Sequence, residues 1–130
     1  LVTMQAEDFD SGTLMKTPRK TASRGHTVKG VGEANYLLKL TEDISNPSIR
    51  LRYTKDNSPS DVVLYVDGRR QSTIKTVDEG SLGDYEMTKE MRLANALSAG
   101  SHTITLEVQS ATGELELDYF VIHNTVEHSR

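Results

Sequence analysis

The stretch "LSAGSHTITLEVQSATGELELDYFVI" (97–122) decides how this chain folds. Within it Ile104, Leu106 and Val108 alternate with Thr103, Thr105 and Glu107. A period of two sends apolar side chains to one face of an extended strand and polar ones to the other. The second half, "ELELDYFVI" (114–122), is the most hydrophobic run of the chain. Between the halves Thr112-Gly113 offers a tight hairpin turn.

The same signals recur upstream, in "YLLKL" (36–40), "SIRLRYT" (48–54), "DVVLYVDG" (61–68) and "STIKTV" (72–77). "YEMTKEMRL" (85–93) tolerates a helix, but it also fits a strand that reverses face in its middle. Asn46-Pro47, Asn57-Ser58-Pro59, Asp67-Gly68, Gly80 to Gly83 and Ala99-Gly100 punctuate these runs with turn chemistry. Short strands closely spaced, with no convincing long helix, predict an all-β fold, a two-sheet antiparallel β-sandwich. The polar segment 10–24 reads as a long loop.

A chain of 130 residues suits a single domain, 1–130, with a full core of its own, and we expect it to be a module cut from a larger protein. It has no cysteine, so neither disulfides nor thiolate metal sites are available. A net charge of −4, with basic residues scattered, argues against a nucleic-acid surface. No run approaches the roughly 20 apolar residues that span a membrane, and no secretory leader pattern opens the chain.

Catalytic signatures are missing: there is no G-x-S-x-G, H-E-x-x-H or Walker loop. His26, His102, His123 and His128 show no metal-ligand spacing. Pairs of carboxylates could be assembled from the 19 acidic residues of any such chain and therefore carry no weight. We expect no enzyme activity.

Two polar features do stand out. Gln5 and Glu7 sit two apart in what reads as an opening strand, which would place both on one side. Asp118 interrupts "LELDYFVI", where burial is costly unless the carboxylate is paired or metal-bound. Asp118 either faces water at an edge or bulge, or converges with Gln5 and Glu7, since first and last strands are often neighbours in sandwiches. In the second case the set is all hard oxygen, which suits Ca²⁺, with loop carbonyls from 29–32 completing the shell.

At both ends the chain resembles the carbohydrate-binding modules of families 6 and 35. "MQAEDF" (4–9) is similar to their acidic opening strand, "PSIRLRYT" (47–54) to their Y-x-L-x-V-R-Y-A strand, and "VVLYVDGRR" (62–70) to their L-x-V-N/D-G strand. The stretch 97–122 follows their ending almost position by position. The resemblance implies a jelly-roll sandwich with a structural calcium ion on Gln5, Glu7 and Asp118. It also implies non-catalytic binding of a polysaccharide or oligosaccharide by a monomeric module appended to a polysaccharide-degrading catalytic domain, secreted or at the cell surface and of bacterial origin.

For the sugar it points to Tyr36 and Tyr85 as stacking platforms, with Lys55, Asp56 and Asn57 as polar contacts, Lys55 suiting an acidic sugar. The usual platform in these families is Trp, and this chain has none. That motivates an alternative, a structural or interaction sandwich that has lost its sugar site. Tyr53 and Tyr119 read as core, Tyr65 as lining the opposite face, and Lys16, Arg19, Lys20 and Arg24 as a solvated loop or a reader of anionic glycans.

Overall fold

The structure, a computed structural model, describes residues 1–77, 79–109 and 114–125. In chain order its strands are β1 (Val2–Gln5), β2 (Ser11–Gly12), β3 (Met15–Pro18), β4 (His26–Lys29), β5 (Gly32–Leu40), β6 (Pro47–Lys55), β7 (Asp61–Val66), β8 (Arg69–Lys75), β9 (Glu86–Met87), β10 (Met91–Arg92), β11 (Gly100–Val108) and β12 (Leu115–Asn124). They form two antiparallel sheets, one of seven strands built around β6 and β12 and one of five in the order β2-β5-β11-β7-β8. This is the expected β-sandwich of jelly-roll type.

Alternation explains which side chains fill the space between the sheets. Ala34, Tyr36, Leu38 and Leu40 of β5 point inward, as do Ile104, Leu106 and Val108 of β11. Ile49, Leu51 and Tyr53 of β6 meet Leu117, Phe120 and Ile122 of β12 from the other sheet. Tyr36 and Phe120 pack edge to face at 5.0 Å across the core, a geometry that aromatic quadrupoles favour.

Several sequence expectations need correction. The segment 10–24 is not all loop: β2 and β3 lie in it. Segment 85–93 is the interrupted strand, because β9 and β10 pair separately with β6. Thr112-Gly113 lies outside the described residues, but β11 and β12 belong to different sheets and are not hairpin partners. The genuine tight hairpin is β7–β8, whose turn residues Asp67 and Gly68 have φ of 51° and 78°, the mirror-image turn that suits strand twist. The Asp67 carboxylate closes that end of the sandwich by accepting the Thr103 amide at 2.8 Å and meeting His102 Nδ1 at 2.7 Å.

One irregularity in β12 shapes the outer face of the seven-stranded sheet. Leu117 is opposite Tyr53 but Tyr119 is opposite Arg52, so Asp118 is an extra residue, a bulge in β12. After the bulge the alternation restarts, and Phe120 takes the inward place that Tyr119 would otherwise hold. Tyr119, expected in the core, is therefore half-buried on the outer face. On its other edge β12 pairs with β4 up to Leu117 and with β1 from Tyr119 onward, so two strand ends meet beside Asp118.

Candidate functional site

The outer face around the bulge is covered by residues 19–25, and each acidic side chain of β12 there has a basic partner. Glu116 is buried, accepts Arg19 Nε at 3.0 Å and Thr27 Oγ1 at 2.6 Å, and forms an ion pair with Arg19. Burial by itself would raise its pKa, but the Arg19 and Thr27 hydrogen bonds outweigh that and hold the carboxyl below the usual range. Asp118, 0% exposed, forms an ion pair with Arg52. The Ser23 amide reaches both Asp118 oxygens, at 3.1 and 3.2 Å. Asp118 thus occupies a bulge, as one sequence reading allowed, yet it faces protein and not water.

Gln5 and Asp118 do come together. Ser23 Oγ lies 2.7 Å from Gln5 Oε1 and 3.1 Å from Asp118 Oδ1. A hydroxyl has one hydrogen and cannot serve two acceptors fully at once. Glu7 is placed differently from what its spacing suggested. β1 ends at Gln5, and Ala6–Asp8 form a 3₁₀ turn packed on β12 and β4, so period-two alternation does not apply to it. That turn buries Glu7, whose Oε1 has no hydrogen-bond partner among the described residues.

These unserved acceptors fit a hard cation in their chemistry. Gln5 Oε1 and Asp118 Oδ1 share one hydroxyl, and Glu7 Oε1 has nothing. Asp118 Oδ2 is held by Arg52, while Oδ1 has only Ser23, through its amide and its shared hydroxyl, which makes Oδ1 the oxygen better placed to turn to an ion. No cluster of three or more His, Asp or Glu among the described residues could hold a metal. Any site here therefore depends on the Gln5 amide and on carbonyls as well as on the two carboxylates.

Of the residues predicted to touch sugar, only Tyr85 presents a ring beside solvent. It is half-buried, its face lies over the Arg52 guanidinium at 4.0 Å, and its hydroxyl is 3.2 Å from Thr21 Oγ1. The same guanidinium lies 5.8 Å from the Tyr119 ring. Arg52, half-buried itself, is thus fixed from below by Asp118 and caps one face of Tyr85. Cation–π attraction and the Thr21 contact pre-orient the ring.

The other candidates are committed elsewhere. Tyr36 is 0% exposed and donates its hydroxyl to the Ala6 carbonyl at 2.8 Å. Burial pushes its phenol above the ordinary range, with Glu7 and Asp8 adding to the effect. It stands mid-strand in the core and presents no platform. Lys55 is 2% exposed, with its ammonium turned inward to the Val77 carbonyl at 2.5 Å. Asp56 accepts the amides of Ser58 at 2.9 Å and Glu114 at 3.1 Å, and these bonds draw its pKa down. Asn57 Oδ1 accepts the Gly80 amide at 2.9 Å. These three side chains stitch loops together; Lys55 is buried, whereas Asp56 is half-buried and Asn57 exposed, each with one side-chain oxygen or more tied to loop amides.

Sequence reasoning passed over Arg52, Ser23, Thr21 and Glu116, and it placed Arg19 in a solvated basic loop or as a reader of anionic glycans, where the structure pairs it with Glu116. For Glu116 the signal was present, because it flanks Leu117 in the same apolar run as Asp118. The others carry no mark in the sequence, since serine, threonine and arginine in a loop or on an outer strand face are ordinary.

No protein-family model matches the chain, and no curated protein sequence does. Solved structures match it in fold. The C-terminal family 6 carbohydrate-binding module of LamC, a marine laminarinase from Zobellia galactanivorans, superposes with a TM-score of 0.75 at 16% identity, covering 93% of this chain and 97% of that one. A family 6 module from Clostridium stercorarium, solved with cellobiose, gives 0.73 at 20% identity over 95% and 94% of the two chains. A cycloisomaltooligosaccharide glucanotransferase from Paenibacillus gives 0.75 at 16% identity over 92% of this chain, which spans only 18% of that enzyme. The chain has the fold of family 6 carbohydrate-binding modules across nearly its whole length. Among the described residues no helix is long and apolar enough to cross a membrane.

Proposed function

We propose that this chain is a non-catalytic carbohydrate-binding module that holds an appended extracellular enzyme on its polysaccharide. The observation that carries this reading is Tyr85, a ring held on the outer face by Arg52 and Thr21. A sugar stacks its C–H face on such a ring while its hydroxyls find polar partners around the rim. The Arg19–Glu116 pair stands on the same outer face. One platform makes for weak binding per site, and attachment to an enzyme turns weak binding into a raised local concentration on a polymer.

In the same reading Gln5, Glu7 and Asp118 hold a structural calcium ion, with the module acting as a monomer. The ion would neutralise acceptors that the protein leaves short of donors and would tie the first strand to the last. Binding to the folded state alone raises stability. The melting temperature is expected to be higher in Ca²⁺ than in EDTA, and Asp118→Ala is expected to erase the difference; an unchanged melting curve for the unaltered chain refutes the site.

Affinity electrophoresis against a panel of neutral and acidic polysaccharides tests sugar recognition. Retardation by at least one polymer is expected. If none retards the chain with Ca²⁺ present, the competing reading stands: a sandwich without a sugar site, favoured by the inward positions of Tyr36 and Lys55.

A further inference from the structure

Lys55 and Ser60 are both buried, and both line a hollow of about 220 Å³ between the end of β6 and the β7–β8 hairpin. The stem of Lys55 runs under Gly80, where an added Cβ would come within 2.9 Å of Lys55 Cγ. Its ammonium donates to the Val77 carbonyl at 2.5 Å, and Val77 lines the hollow. An ammonium has three N–H donors, and this contact uses one. None of the ion pairs among the described residues includes Lys55.

Ser60 adds an independent observation. It is 7% exposed, and its Oγ is buried with no hydrogen-bond partner among the described residues. Its carbonyl is used, accepting Thr76 Oγ1, so the hydroxyl is the group left over. Leaving a buried hydroxyl or ammonium proton unserved costs free energy, and folded proteins seldom tolerate it. The groups with protons left over here are a hydroxyl, which can also accept, and an ammonium, which carries a full positive charge. A water molecule would satisfy Ser60, and Asp56 acts on the Lys55 ammonium only through space, with no ion pair between them among the described residues. An acceptor of negative charge serves both. At the mouth Lys75 lies 3.2 Å from Asp61, so the carboxylate that lines the hollow already has a cation.

We propose that this hollow binds a small oxyanion group, a carboxylate or sulfate, held by Lys55 Nζ and Ser60 Oγ. The group is carried by an acidic sugar or arrives as the free ion. The site is separate from Tyr85, which stands on the outer face of the seven-stranded sheet, and it does not require that Tyr85 bind sugar.

Amide-detected NMR titration tests the proposal, with sodium sulfate and sodium glucuronate as probes against sodium chloride at equal ionic strength. Saturable shifts are expected at the amides of Ser60, Asp61, Thr76 and Val77. Ser60→Ala, whose spectrum also reports its fold, is expected to weaken the midpoint about tenfold, as befits one lost hydrogen bond to a charged group. Lys55→Met is expected to abolish saturation. Response to glucuronate and sulfate assigns a sugar-borne group, and response to sulfate alone assigns a free-ion site; either upholds the proposal. Tyr85→Ala is expected to leave the titration unchanged, so failure of sugar stacking and failure of this site are told apart. No saturable shift with either probe, or an equal response in Ser60→Ala, overturns it.

Discussion

Removing Arg52 should harm the fold more than neutralising its partner. The Asp118 side chain is 0% exposed, while that of Arg52 is 26% exposed. In Arg52→Met the buried carboxylate keeps only Ser23, through its amide at 3.1 and 3.2 Å and its shared hydroxyl at 3.1 Å. Breaking a buried pair from one side costs about 3–5 kcal/mol, and the surviving Ser23 contacts place this case at about 3 kcal/mol. In Asp118→Asn the stranded group is a guanidinium that can rotate to water, so the cost falls to about 1–1.5 kcal/mol. For a domain of this size 1 kcal/mol moves the melting temperature by about 3–5 °C, giving drops of about 9–15 °C and 3–8 °C. The double variant should recover part of the Arg52→Met loss, because no buried charge remains. Thermal and urea denaturation in EDTA measure all three. Arg52→Met no worse than Asp118→Asn would refute the reasoning.

Two further outcomes follow from other parts of the sandwich. The His102 ring meets Asp67 Oδ2 and the Ser98 carbonyl, both at 2.7 Å, so both nitrogens must donate, and the Asp67 hydrogen bond raises its pKa above the usual 6.5. This contribution to stability is complete below the unfolded pKa and is lost as pH rises through the raised folded value; melting temperature should therefore fall across neutral pH in the unaltered chain and lose that slope in His102→Gln. Gly12→Ala should destabilise by about 2 kcal/mol or more, because Gly12 has φ of +140° and its Cβ would lie 2.2 Å from the Glu33 carbonyl oxygen; urea denaturation measures it, and a change below about 0.5 kcal/mol would show that β2 simply lifts away from β5.

The fold was legible because alternation in 97–122 and 48–54 marks inward faces wherever strands are regular. It became illegible where regularity fails. The bulge at Asp118 inverts the phase of one strand, so Tyr119 points outward although its position in the pattern says core. The 3₁₀ turn at Ala6–Asp8 changes the direction of Glu7 in the same way. Tyr36 was a platform candidate because a strand read as starting at 36 places it next to the polar residues before it. In fact β5 begins at Gly32, and Glu33 and Asn35 are simply its outer face. Lys55 looked exposed because lysine normally is, and only tertiary packing under Gly80 shows the stem buried. The partners that make the site, Ser23 and Arg52, are 95 and 66 residues from Asp118 along the chain, a distance that pattern reading does not bridge.

Sugar stacking on Tyr85 is the claim on which the functional reading rests. Titration calorimetry should compare the unaltered chain, Tyr85→Phe and Tyr85→Ala on the polysaccharide that retards the chain most. Tyr85→Phe is expected to bind within about threefold of the unaltered chain, and Tyr85→Ala to lose at least about tenfold with its melting temperature little changed. Equal binding by Tyr85→Ala would contradict the claim.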